Sequence, residues 1–163
     1  MRVLGKFVVC LALLLAGVIL PKPGFAQDEF VNNPIPEVLG VKLGGDIRDY
    51  PGMEPASPYF DGSTIYERES DAGITFAGIP VVYPGYTVYE DRISRIFFSI
   101  QPDNLEKILA YFGTAYGELQ KDDDGTYIWN DFYFDIDITW RESTNRYIIA
   151  FRHLPMIEER KSE

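Results

Sequence analysis

Phe132-Tyr133-Phe134-Asp135-Ile136-Asp137-Ile138-Thr139-Trp140-Arg141 alternates apolar and polar residues without a break. A strand turns successive side chains to opposite faces. Phe132, Phe134, Ile136, Ile138 and Trp140 therefore share one face, and Tyr133, Asp135, Asp137, Thr139 and Arg141 the other. This is the pattern of an antiparallel sheet with one side on a core and one toward water.

The cover for the apolar side is found upstream. After Pro102, Leu105, Ile108, Leu109 and Phe112 recur at i, i+3, i+4 and i+7, which predicts an amphipathic helix over about 103–116. Asp103 is placed to cap it, Glu106 suits the positive end of the dipole, and Gly117 suits a left-handed stop. Further strands are predicted at 38–43, 64–66, 74–83, 86–90, 92–100, 126–129 and 147–154. Pro80 makes 74–83 an edge strand or two short strands around a bend. Residues 51–63, with Pro51, Gly52, Pro55, Pro58 and Gly62, read as a loop. The expected fold is α+β, an antiparallel sheet of five to seven strands with one main helix packed on one face.

The organisation around that domain begins with a leader. Arg2 and Lys6 precede a 14-residue apolar run, Phe7 to Leu20, closed by Pro21 and Pro23. The run is too short for a membrane span, and Gly24 and Ala26 supply the small residues of a cleavage site. Residues 1–26 are read as a secretory signal peptide, 27–37 as a flexible lead-in, 38–154 as one domain and 155–163 as a charged tail. The expected location is the periplasm, with an extracellular location as the alternative, and no integral membrane span after cleavage.

Removing 26 of 163 residues takes away Arg2, Lys6, Lys22 and Cys10 and moves the net charge from −10 to −13. So acidic a chain argues against nucleic acid, whose phosphates need Lys and Arg, and leaves a cationic partner or plain solubility. Without a cysteine, thiol hydrolases, dithiol oxidoreductases and thiolate zinc sites are excluded. The chain must fold on its core, to which 11 Tyr, 11 Phe and 2 Trp contribute.

Residues with catalytic or ligand chemistry are few. His153, the only histidine, stands at a strand end, and no Gly-x-Ser-x-Gly elbow accompanies any serine. Lys121-Asp122-Asp123-Asp124-Gly125 resembles a calcium loop in composition. Aligning Gly125 with the required glycine, however, puts Gln120 first and Asp131 last, both wrong for an EF-hand, and a strand is predicted after it instead of a helix, so it reads as a solvated turn. No cofactor is expected. Asp135 and Asp137 share a face at roughly 6.5–7 Å, a spacing usable for glycosidase work, for a cation or for gripping a basic partner. With Tyr133 and Thr139 they form the candidate binding surface. Tyrosines also cluster at 83, 86 and 89 and at 127, 133 and 147, as sheet residues or as a recognition surface.

The segments Leu39–Gly44 (Leu-Gly-x-x-Leu-Gly), Ile93-Ser94-Arg95-Ile96, Tyr116-Gly117, Tyr127-Ile128-Trp129 and Phe132–Trp140 together resemble small exported bacterial proteins of unassigned function over residues 38–153. More weakly, the order is similar to the α+β domains of the outer-membrane assembly lipoprotein and β-lactamase-inhibitor group. That group places its helices before its strands, and its lipoprotein members carry an anchoring cysteine. Neither resemblance carries over a catalytic residue. The expectation is an exported, non-enzymatic binding or envelope-associated protein, with an acidic inhibitor of a cationic partner as a subtype. The alternative is a hydrolase using Asp135 and Asp137, joined by His153.

Overall fold

The computed structural model describes residues 35–59 and 61–161, with side chains as far as Glu159. The leader and the lead-in as far as residue 34 lie outside the described residues. The strands are β1 (Glu37–Val38), β2 (Val41–Lys42), β3 (Met53–Pro58), β4 (Thr64–Arg68), β5 (Thr75–Phe76), β6 (Ile79–Pro80), β7 (Val82–Tyr89), β8 (Arg92–Ile100), β9 (Gln120–Lys121), β10 (Tyr127–Asn130), β11 (Phe134–Arg141) and β12 (Arg146–His153). The helices are α1 (Leu105–Ala115) and α2 (Leu154–Lys161). Eight strands form one sheet in the order β3-β4-β7-β8-β12-β11-β10-β9, antiparallel throughout. The fold is α+β, with more strands than the five to seven expected.

The additional strands come from segments whose local signals point elsewhere. β3 forms within the predicted loop despite Pro55 and Pro58, because an edge strand tolerates residues that cannot donate to a ladder. The expected strand at 38–43 is instead a hairpin, β1 with β2. Leu39 and Gly40 make its two-residue turn with φ of 56° and 74°, the left-handed pair a type I′ turn requires. The expected strand at 74–83 is likewise broken, into the β5–β6 hairpin and the start of β7. Where a charged tail is expected, Leu154–Lys161 form α2, and Met156 is buried.

One face of the sheet carries the core. Ile108 and Phe112 of α1 are buried against it, with Leu105 and Leu109 half-buried beside them. Asp103 does not cap the helix. The chain enters α1 through a tight turn, Pro102–Asn104, and the Asp103 carboxylate accepts instead from the Asn104 side-chain Nδ2. Phe76 of β5 shares the cover, with its ring centroid 5.1 Å from Phe98, 5.9 Å from Phe112 and 5.9 Å from Phe151. Val38, Val41 and Leu43 of the first hairpin are buried too. The inner face is therefore covered by α1 and two small hairpins. Of the alternating stripe, Phe134, Ile136 and Ile138 are buried, whereas Phe132 precedes the strand and is exposed, and Trp140 is partly exposed against Tyr147.

Candidate functional site on the helix-free face

The alternation that sends Phe134, Ile136 and Ile138 inward sends Asp135, Asp137, Thr139 and Arg141 to the opposite face, away from α1. Strand register places Arg152 of β12 directly across from Asp135, and Arg95 of β8 directly across from Arg152. Arg152 donates from Nε to Asp135 Oδ1 at 2.8 Å and from Nη2 to Asp135 Oδ2 at 2.7 Å, a bidentate pair. The same Nη2 is 3.4 Å from Asp137 Oδ2. Burial raises the Asp137 carboxyl above its ordinary range, and Arg152 and Arg95 pull against that rise. Thr139 Oγ1 is 3.5 Å from Asp137 Oδ1.

Three of the four predicted binding residues, Asp135, Asp137 and Thr139, are thus brought together. They form an internally neutralised sheet face, with Asp135 only 8% exposed. Tyr133 stands off the strand, in a bend held by Asp131, whose carboxylate accepts from the Tyr133 and Phe134 amides. His153 is not part of this group. It lies opposite Phe134 in the register, on the core face, one residue out of phase with Arg152. It is 6% exposed and packs flush on Gly44, where an added Cβ would sit 2.9 Å from the imidazole. Its Nδ1 faces the Met156 amide at 3.4 Å, and burial together with Arg92 pushes its pKa down. The carboxylate pair and the histidine occupy opposite sides of one sheet.

A cleft of about 850 Å³ opens further along, between β3, β4 and the turn Glu69–Asp71. Tyr66 pairs with buried Tyr86 on the core face, so Glu67 beside it takes the helix-free face. Glu54 of β3 stands directly across from Glu67. With Glu69, both line the cleft, whose apolar walls include Pro51, Pro55 and Ala72. None of the three carboxylates forms an ion pair among the described residues. Two like charges directly opposed across strands cost about 0.2–1 kcal/mol.

The turn is fixed from beneath. Asp71 is buried and accepts from Arg68 Nε at 2.8 Å, from Arg68 Nη2 at 2.6 Å and from the Tyr86 hydroxyl. Arg68 Nη2 also donates to the Leu39 carbonyl at 2.8 Å, tying the first hairpin to the cleft floor.

Tyr83 closes the cleft on the β7 side. It lies in a bulge between Val82 and Gly85, at φ 53° immediately before Pro84, and is 68% exposed. The Arg146 guanidinium lies 5.2 Å from its ring centroid. Arg95 is packed in the same manner, 5.5 Å from Phe97 and 5.9 Å from Tyr59, and its Nη1 donates to the Tyr59 hydroxyl at 2.7 Å. This stacking buries the Nε of both arginines without a hydrogen-bond partner.

Glu54, Glu67 and Glu69 are absent from the sequence-derived site because only the pairing of β3 with β4 brings Glu54 to Glu67. The one local signal is the charged run Glu67 to Asp71, which reads as a turn. The acidic loop after Lys121 closes on itself. Asp122 Oδ1 accepts from the Asp124 amide at 3.0 Å and the Thr126 amide at 2.8 Å. Among the described residues no group of three His, Cys, Asp or Glu is placed to hold a metal ion, and no helix is long and apolar enough to cross a membrane.

Comparison with protein-family models, with curated proteins and with solved structures finds no match to this chain.

Proposed function

We propose that the chain is an exported, non-enzymatic binding protein, acting in the periplasm, that takes a cationic group of a partner into the cleft between β3, β4 and Tyr83. The observation that carries this reading is the Glu54–Glu67 pair. Two carboxylates face each other across one rung of the sheet and form no ion pair among the described residues, the Arg68 of the cleft lining being taken by Asp71. An ammonium or guanidinium placed between them relieves the repulsion. The proline and alanine walls suit the aliphatic stem of Lys or Arg. The exposed Tyr83 ring offers a further surface to a cation. An organic cation fits better than a metal ion, since the carboxylates are not clustered as ligands.

Export rests on the Arg2–Ala26 leader. The hydrolase reading draws less support. Asp135 and Asp137 are held by Arg152 and do not line the cleft, and His153 is on the other face.

The test is calorimetric titration of the purified protein with an acetylated Arg-Ala-Arg tripeptide amide. Binding is expected, weakened by rising salt and lost when Glu54→Gln and Glu67→Gln are combined. Equal binding by the variant would exclude the cleft as the site.

A further inference from the structure

The helix-free face carries a second pair of opposed like charges. Arg141 of β11 and Arg146 of β12 stand directly across from each other, as Glu54 and Glu67 do on β3 and β4. None of these four residues forms an ion pair among the described residues, although the chain has 25 acidic residues to 15 Lys and Arg. Of the other arginines of that face, Arg152 pairs with Asp135 and Asp137, and Arg95 donates from Nη1 to the Tyr59 hydroxyl and stacks on Tyr59 and Phe97. Both unpaired sets lie on one face of one sheet. From β4 to β12 is three strand steps, through β7 and β8, or about 14 Å across the sheet. Tyr83 joins the two sets, lining the acidic cleft while its ring lies beneath Arg146.

We propose that this face is self-complementary and that a second copy of the chain docks on it, each copy placing Arg141 and Arg146 at the Glu54–Glu67 cleft of the other. A two-fold interface requires that one patch carry both halves of every contact, and an acidic pair beside a basic pair meets that requirement. A two-fold axis lying in the interface, parallel to the sheet and passing over Tyr83 between the two pairs, stacks the two faces, exchanges the pairs and brings the two Tyr83 rings to the centre, where aromatic residues dominate interface energetics. The inference rests on the cleft as a cation site and names a second copy as a partner that supplies the guanidinium groups.

Charge reversal tests it. Sedimentation velocity on the purified protein is expected to show a monomer–dimer equilibrium. Glu54→Lys with Glu67→Lys, or Arg141→Glu with Arg146→Glu, is expected to weaken it about tenfold or more. An equimolar mixture of the two reversed proteins is expected to recover the dimer as a heterodimer, because each acidic set again meets a basic one. Glu54→Gln with Glu67→Gln removes charge without reversing it and is also expected to weaken the dimer. Monomer at every concentration, or a mixture that fails to recover association, overturns the inference. Titrating the same samples with the Arg-Ala-Arg tripeptide separates the two failures. Binding without a dimer overturns only the second-copy partner, and neither binding nor a dimer overturns the cleft as well.

Discussion

Asp135 and Arg152 face each other across β11 and β12 and share two hydrogen bonds of 2.8 and 2.7 Å, and the same guanidinium stands 3.4 Å from Asp137. One cation therefore serves two largely buried carboxylates. Arg152→Gln is expected to cost about 1–3 kcal/mol, the lower part of the range reflecting the partial exposure of Arg152. Adding Asp135→Asn to that variant is expected to recover part of the loss. Urea midpoints of the two singles and the double measure it, and strict additivity would mean that the pair is not coupled.

The pH dependence near neutrality is expected to come from His153. Burial, and then Arg92, holds its imidazole below the ordinary 6.5, against the pull of Glu159. The unfolded chain then takes up a proton that the native state refuses. Stability is fully present above 6.5 and falls as pH drops below it toward the native value, by at most about 1.4 kcal/mol per pH unit. Asp137 works in the other sense. Its pKa is raised by burial above the ordinary 3.8, so the native state takes its proton first and gains stability as pH falls through that raised range. Denaturant unfolding at several pH values checks this, with His153→Asn expected to flatten the slope just below 6.5.

Gly85 stands directly across from Phe97, whose ring lies over it, and a Cβ there would come within 2.4 Å of Phe97 Cζ. Gly85→Ala is expected to cost about 1–3 kcal/mol through overpacking. Phe97→Leu in the same chain is expected to return part of that cost by shortening the obstructing side chain. Thermal unfolding of the single and double variants reads the rescue.

Tyr86→Phe removes the hydroxyl donor to Asp71 but leaves the ring in the core. The loss is expected to be about 1–3 kcal/mol, because a buried carboxylate oxygen loses its partner. Arg68 still holds the other oxygen, so the fold is expected to survive. Amide exchange is expected to quicken in the Glu69–Asp71 turn and at Leu39, which Arg68 connects.

Glu67→Gln is expected to raise stability by about 0.2–1 kcal/mol, since the opposed charge of Glu54 no longer acts on it. The same substitution is expected to weaken tripeptide binding. A variant more stable yet poorer in binding is the signature of a charge pair kept for recognition, and urea unfolding with calorimetry measures both sides.

Much of the fold could be read along the chain wherever one element buries one face. The alternation in β11 and the Leu105/Ile108/Leu109/Phe112 spacing in α1 are local records of a shared core, and both elements form where expected. Reading fails where the signal is not local. β3 holds two prolines and lies in a stretch that reads as a loop, yet pairing with β4 makes it a strand. Leu39 and Tyr83 adopt positive φ, which nothing in a leucine or tyrosine announces.

An α+β architecture, a strand with a polar face holding Asp135, Asp137 and Thr139, and a core of aromatic and branched residues are legible along the chain alone. Hydrophobic period is a property of neighbouring residues, so it needs no partner to be read. Which charges are answered and which are not follows from the pairing of strands distant in the chain. Arg152 neutralises Asp135 from 17 positions away, and His153, next to it in the chain, faces the opposite side. Glu54 meets Glu67, and Arg141 meets Arg146, because antiparallel register sets these residues opposite each other. Register is fixed by the whole sheet, and it moved the candidate site from the carboxylates of β11 to the cleft beside Tyr83.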